Sequence, residues 1–127
     1  MAEPLYSMSL SQLAPLLARG EVSPVEVTEQ LLKRIHARDQ ELNAYITVDD
    51  AGALSQARAA EARLRRGEAA PLTGIPLALK DVLVTQGLRT TCGSRILENF
   101  IPPYDAAVVE KLRRDGAVFL GKVNMDE

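Results

Sequence analysis

The run Gly74-Ile75-Pro76-Leu77-Ala78-Leu79-Lys80-Asp81-Val82-Leu83-Val84 is the most sustained apolar stretch of the chain, and it carries a lysine in its middle. Opened by a glycine and a proline and closed by Thr85-Gln86-Gly87, it reads as a strand buried on both faces, the kind found in α/β proteins. Lys80 conflicts with that burial. Full burial lowers a lysine's pKa by ~3–5 units, at about 1.4 kcal/mol per unit. That is a large part of the ~5–15 kcal/mol that stabilises a whole domain. Two readings stand: Lys80 ends the strand with its ammonium in water, or it is held in a site because its proton is needed. Asp81 does not decide between them. Strand alternation places Lys80 with Ala78 and Val82, and Asp81 with Leu77 and Leu79.

Ala117-Val118-Phe119-Leu120-Gly121 is a second short apolar run with the character of a buried strand. Ahead of it, Asp105 is placed to cap a helix over Ala106–Asp115, with Val108, Val109 and Leu112 inward and Gly116 as its stop. Strand, linker, helix and strand in that order predict a parallel βαβ unit with a right-handed crossover. In the linker, Gly87–Ser94 is rich in glycine and small polar residues. Ser94 is placed to cap a short helix through Arg95, Ile96 and Leu97, and Ile101-Pro102-Pro103-Tyr104 reads as a rigid extended link. Connections this long are often functional.

The first part of the chain reads as mainly helical. Ser9 or Ser11 caps a helix to Arg19, with Gly20 as its left-handed stop. Counted from Ser11, Pro15 falls at the fourth helical position, where it is tolerable; a kink is the other possibility. Ser23-Pro24-Val25-Glu26 has the form of a capping box with proline at the first helical position. Val25, Thr28, Leu31, Leu32 and Ile35 then share one face, and His36 lies off it as a surface residue. Leu42–Val48 is a short strand or extended linker. Asp49 or Asp50 caps an alanine-rich helix to Arg66, ended by Gly67, whose lean face (Ala53, Leu54, Ala57, Ala60, Leu64) suits close packing. Arg63, Arg65 and Arg66 read as cations complementing a helix C-terminus, because each of the longer helices ends in Lys or Arg.

Composition narrows the function classes. A net charge of −2, 4% aromatic residues and no tryptophan argue against a phosphate-backbone or base-stacking surface. The one cysteine, Cys92, excludes an internal disulfide and a cysteine-rich zinc site, and suits a reducing cytoplasm. The one histidine leaves little scope for a histidine-based metal site. Met1–Tyr6 lacks the marks of a secretory signal, and no apolar run is long enough for a transmembrane helix, so no membrane partner is expected. The chain is 127 residues long, and its two parallel strands with lean helices do not close an α/β core. It is expected to be the beginning of a longer domain.

Gly74–Asp81 resembles the lysine strand of the amidase signature enzymes. Thr90-Thr91-Cys92-Gly93-Ser94, Pro103-Tyr104-Asp105-Ala106 and Gly121-Lys122-Val123-Asn124-Met125-Asp126-Glu127 are more particular. With the Ser-x-x-Glu helix start, they resemble, essentially end to end, the A subunits of bacterial-type glutamyl-tRNA(Gln)/aspartyl-tRNA(Asn) amidotransferases.

The resemblance implies an α/β/α sandwich around a large mixed sheet. Residues 1–127 would be its N-terminal portion, with 1–68 as packing helices and 69–127 as the start of the catalytic sheet. It implies a Ser–cis-Ser–Lys triad acting on the side-chain amide of glutamine, the second serine relaying protons to a lysine that acts as base in its neutral form. Residue by residue, only Lys80 falls within this chain. The family's Gly/Ser-rich segment, with both serines and the oxyanion loop, lies beyond an Asn-Met-Asp-Glu stretch, so these residues alone are expected to be inactive. Ser94 is expected to be a helix cap and Cys92 a small buried residue, neither of them a nucleophile. No cofactor is expected in this polypeptide; ATP and magnesium would be used by a partner. The implied partners are the B and C subunits of the amidotransferase, glutamine, and misacylated tRNA reached through the complex. Two alternatives are an amidase signature hydrolase acting on a free amide and a non-catalytic interaction fragment.

Overall fold

The computed structural model describes residues 3–126; Met1 and Ala2 of the N-terminal segment and Glu127 of the terminal motif lie outside the described residues. After a 3-10 turn at Leu5–Ser7 come α1 (Leu10–Ala18), α2 (Pro24–Leu42), β1 (Tyr45–Val48), α3 (Asp50–Arg65), β2 (Pro76–Lys80), α4 (Ala107–Arg114) and β3 (Val118–Val123). The strands form one mixed sheet in the order β1-β3-β2, with β3 antiparallel to β1 and parallel to β2. The expected βαβ unit is therefore present, and β1, from the mainly helical part, adds an edge strand to it.

Helix starts follow local hydrogen-bonding chemistry. Ser9, not Ser11, caps α1, and its reciprocal box with Gln12 satisfies two free N–H groups. Pro15 consequently lies inside the helix, past its first turn. At α2 the box predicted from Ser23 and Glu26 does not close. Ser23 Oγ accepts from Val25 N at 3.1 Å, and its own proton goes to Glu61 on α3 at 2.7 Å. A helix-to-helix tie takes the place of the local one. Asn43 ends α2 at φ 52, and the Asp39 carboxylate accepts from Ala44 N and Tyr45 N, turning the chain into β1.

Apolar side chains gather in three clusters. Leu32, Ala53, Ala57, Val118 and Leu120 join α2 and α3 to one face of β3, with Tyr45 and Val48 of β1 beside them. Leu13, Leu17, Val27 and Ile75 seat α1 against α2 and the approach to β2. Leu79, Val109, Ala117 and Phe119 fill the other face, under α4.

The register of β3 determines what each face receives. Phe119 pairs with Leu77 and Gly121 with Ala78, so β3 carries one extra residue, Leu120, relative to β2. Such a bulge re-aims everything beyond it. Strict alternation would send Lys122 to the face of Val118 and Leu120. After the bulge it lies opposite Leu79, on the α4 face. Gly121 makes this possible, because a Cβ there would stand 2.2 Å from Thr47 O on β1.

Further expectations change, among them Val108, read as inward but exposed on α4. The strand read over Gly74–Val84 ends at Lys80, because the chain turns at once, with Leu83 N donating to Lys80 O at 3.0 Å. Asp105 does not cap α4, whose N-cap is Ala106. Its carboxylate instead accepts from Gln86 N at 2.7 Å and pairs with Arg113 at 2.9 Å, tying the long connection to the helix. Ser94 Oγ accepts from Ile96 N at 3.2 Å, but in a turn and not a helix.

Candidate functional site

Lys80 is the last residue of β2 and points away from Leu79, which is buried under α4. Helices α2 and α3 cover β3 and β1 on the Lys80 side but leave Ala78 and Lys80 exposed. The Lys80 side chain is 46% exposed. The expected burial on both faces of the strand is thus corrected, and the first of the two readings describes the geometry. Lys80 ends its strand with its ammonium toward water, and only its strand neighbour Leu79 is in the core. Its ammonium pairs with the carboxylate of Asp126, just beyond β3, and this holds the Asp126 carboxyl below its ordinary pKa. Lys80 and the Asn-Met-Asp-Glu stretch, far apart in sequence, are brought together.

The lysine that is buried is Lys122, with no exposed side-chain surface. Its ammonium donates to Leu83 O, to Thr85 Oγ1 at 2.9 Å and to Thr90 Oγ1 at 2.9 Å. Those acceptors use all three of its donors. Asp81 Oδ1 lies 4.0 Å away, equally buried, and accepts no hydrogen bond among the described residues. Its other oxygen accepts from Thr91 N at 3.0 Å and Thr91 Oγ1 at 2.5 Å. Burial lowers the Lys122 pKa below lysine's ordinary value, and the Asp81 charge opposes that shift. Removing one member of such a pair commonly costs about 3–5 kcal/mol, because the other charge is left buried alone.

The sequence reading overlooked Lys122. A signal existed in the charge next to Gly121 inside a β run, and in the polar triplet Thr85, Thr90 and Thr91 in the segment after β2. What could not be seen was the bulge that turns Lys122 toward those threonines. Asp81, by contrast, lies away from Lys80 as alternation predicts, and the two neighbours have different partners.

Other reactive groups do not join this site. His36 is exposed and bonded to Asp50 at 2.6 Å. Cys92 is half-buried with φ 51, its N–H donating to Asp81 O at 3.1 Å. Arg63 donates to Glu68 O and Arg114 O, both at 2.8 Å, so it satisfies main-chain carbonyls near the ends of α3 and α4. Among the described residues no cluster of His, Cys, Asp and Glu could hold a metal ion, and no helix is long and apolar enough to cross a membrane.

The family model described as Amidase matches residues 26–127. The chain is 54% identical over 124 residues to the A subunit of the glutamyl-tRNA(Gln) amidotransferase of Roseiflexus castenholzii, covering 98% of this chain and 25% of that protein. With the protein of the same name from Geobacter sulfurreducens it shares 57% over 123 residues, covering 97% and 25%. The chain thus spans about a quarter of the length of the curated relatives it matches. Among solved structures, the native peptide amidase of Stenotrophomonas maltophilia superposes with a TM-score of 0.91 at 36% identity, over 98% of this chain and 26% of that one.

Proposed function

This chain belongs to the amidase family, and on that premise we propose that it is the lysine-bearing segment of the A subunit of a tRNA-dependent amidotransferase, which releases ammonia from glutamine. The observation that carries the reading is Lys80, at the tip of β2 with its amine on the open face of the sheet. An amine so placed is anchored through Leu79, buried under α4, while its own partner Asp126 is exposed and leaves it open to groups from outside the segment. In the proposed reaction Lys80, in its neutral form, accepts the proton that a serine passes on as the nucleophilic serine attacks the glutamine carboxamide. Neither serine is supplied by residues 1–127.

Identity of 54–57% with A subunits, against 36% with the peptide amidase, supports the tRNA-dependent assignment. On this reading the chain works in the cytoplasm with the B and C subunits, and one of these partners uses ATP and magnesium to activate misacylated tRNA. A hydrolase of free amides is the second reading. It is favoured by the TM-score of 0.91 to an enzyme named as a peptide amidase.

The test joins this chain to the remaining three-quarters of the Geobacter sulfurreducens relative, with that organism's partner subunits. Glutamine-dependent amidation of misacylated tRNA that Lys80→Ala abolishes is the expected result. Hydrolysis of simple amides with no response to misacylated tRNA supports the second reading. Ammonia release by the 127-residue chain alone, lost on Lys80→Ala, overturns the proposed division of the triad.

A further inference from the structure

We propose that Lys122 and Asp81 are positioning residues for Lys80, fixing from the opposite face of the sheet the turn that aims its side chain. The inference rests on the reading of Lys80 as proton acceptor. Its geometry is independent of that reading.

All three acceptors of the Lys122 ammonium come from the segment that leaves Lys80, namely Leu83, Thr85 and Thr90. Asp81, the next residue after Lys80, grips the far end of the same segment through Thr91 N and Oγ1. Its main chain adds two further ties, Asp81 N to Val123 O at 3.0 Å and Cys92 N to Asp81 O at 3.1 Å. The Lys80 carbonyl itself accepts from Leu83 N. The backbone on the C-terminal side of Lys80 is therefore closed into a loop whose hub is the Lys122 ammonium. Among the described residues, the Lys80 side chain has only exposed Asp126 as a hydrogen-bond partner. Its direction thus depends on its backbone.

A lysine suits this hub where an apolar residue of similar length does not. Methionine at 122 would leave two threonine hydroxyls with no donor to accept from, the Leu83 carbonyl with Thr85 Oγ1 alone, and Asp81 without a counter-charge. Burial also makes the device insensitive to salt, unlike an exposed pair. A reacting amine has to be held to within a fraction of an ångström, and supporting residues usually provide that precision.

The experiment uses the joined full-length protein with its partners, measuring glutamine hydrolysis and melting temperature. Lys122→Met/Asp81→Asn removes both charges, so no orphan carboxylate remains. A melting temperature lower than the parent's is expected from the lost buried hydrogen bonds; assayed well below that temperature, kcat should fall about tenfold or more with KM for glutamine within about twofold. Parental kcat in the folded double variant overturns the proposal, whatever its melting temperature, because the pair would then serve stability alone. Should that protein fail to assemble, Thr85→Val/Thr90→Val decides: a lower kcat at unchanged KM supports the clamp, and parental kinetics overturn it. Lys80→Ala is measured in parallel. If it stays active, the reading of Lys80 falls and this inference with it. If it is inactive while the Lys122 and threonine variants keep parental kcat, only the positioning role falls.

Discussion

Lys80 and Lys122 stand one rung apart on adjacent parallel strands, Lys80 opposite Val123 and Lys122 opposite Leu79, and leave the sheet on opposite faces. One face receives an ammonium saturated by protein acceptors, and the other presents an amine that is 46% exposed. A sheet a single layer thick separates two lysines with opposite demands. One is tied into the framework of the segment that follows Lys80, and chemistry is expected of the other.

Lys80→Met in the joined full-length protein is expected to lower glutamine hydrolysis by about 10²–10⁴-fold, the range for losing a general acid–base group. Unfolding should barely change, since the side chain is half in water and its partner Asp126 is exposed. Urea unfolding alongside ammonia release checks both halves; a large stability loss would place Lys80 in the framework.

Thr91→Val is expected to destabilise by about 1–3 kcal/mol, because a buried carboxylate loses a hydroxyl donor that nothing nearby replaces. Chemical unfolding measures it. A neutral result would mean that another donor reaches Asp81.

Gly121→Ala sets a Cβ against the Thr47 carbonyl at 2.2 Å. Two backbones must separate to admit it, so a loss of about 1–3 kcal/mol is expected, as for other overpacked sites. Amide exchange should quicken in Tyr45–Val48 before Pro76–Lys80, since only the β1 side is pushed away.

Asp105→Asn tests a pH dependence. Arg113 and the Gln86 N–H hold the folded-state pKa of Asp105 below 3.8, with partial burial opposing them. Between the depressed value and 3.8 the unfolded chain binds more protons. The group's contribution is therefore complete above 3.8 and is lost as pH falls through the folded value. At neutral pH the substitution should cost about 1 kcal/mol, a screened figure because the Arg113 side chain is 42% exposed. In strong acid the gap should close. A gap that persists there would trace the loss to geometry at Gln86 instead of charge.

Much of this architecture was legible in residues whose signals are local. A cap at Ser9 or Ser11 and another at Asp49 or Asp50 (the structure uses Ser9 and Asp49), Gly20, Gly67 and Gly116 as left-handed stops, and the two apolar runs as neighbouring strands all depend on a few adjacent side chains. Three of the misreadings share one cause, a hydroxyl, carboxylate or ammonium with a competing partner far away in sequence. Ser23 bonds to Glu61, Asp105 to Arg113 and Gln86, and Lys122 to the Leu83–Thr90 segment. Lys80 was picked out by its unusual company. Its exposure follows from which helices lie over β2, and that is a property of packing.

The strand order β1-β3-β2 has a consequence for synthesis. Both outer strands hydrogen-bond to β3, which is the last of the three to be made. Until Val118–Val123 leaves the ribosome, Tyr45–Val48 and Pro76–Lys80 have no sheet partner within this segment, and Lys80 hangs on an unpaired strand. Helices α1 to α3 can form earlier from their own turns. The sheet closes in one late step, joining residues some seventy-five positions apart (Val48 with Gly121, Tyr45 with Val123), the long-range pairing that slows folding. A nascent chain halted before Val118 would offer two open β-edges to whatever chaperone waits at the tunnel exit.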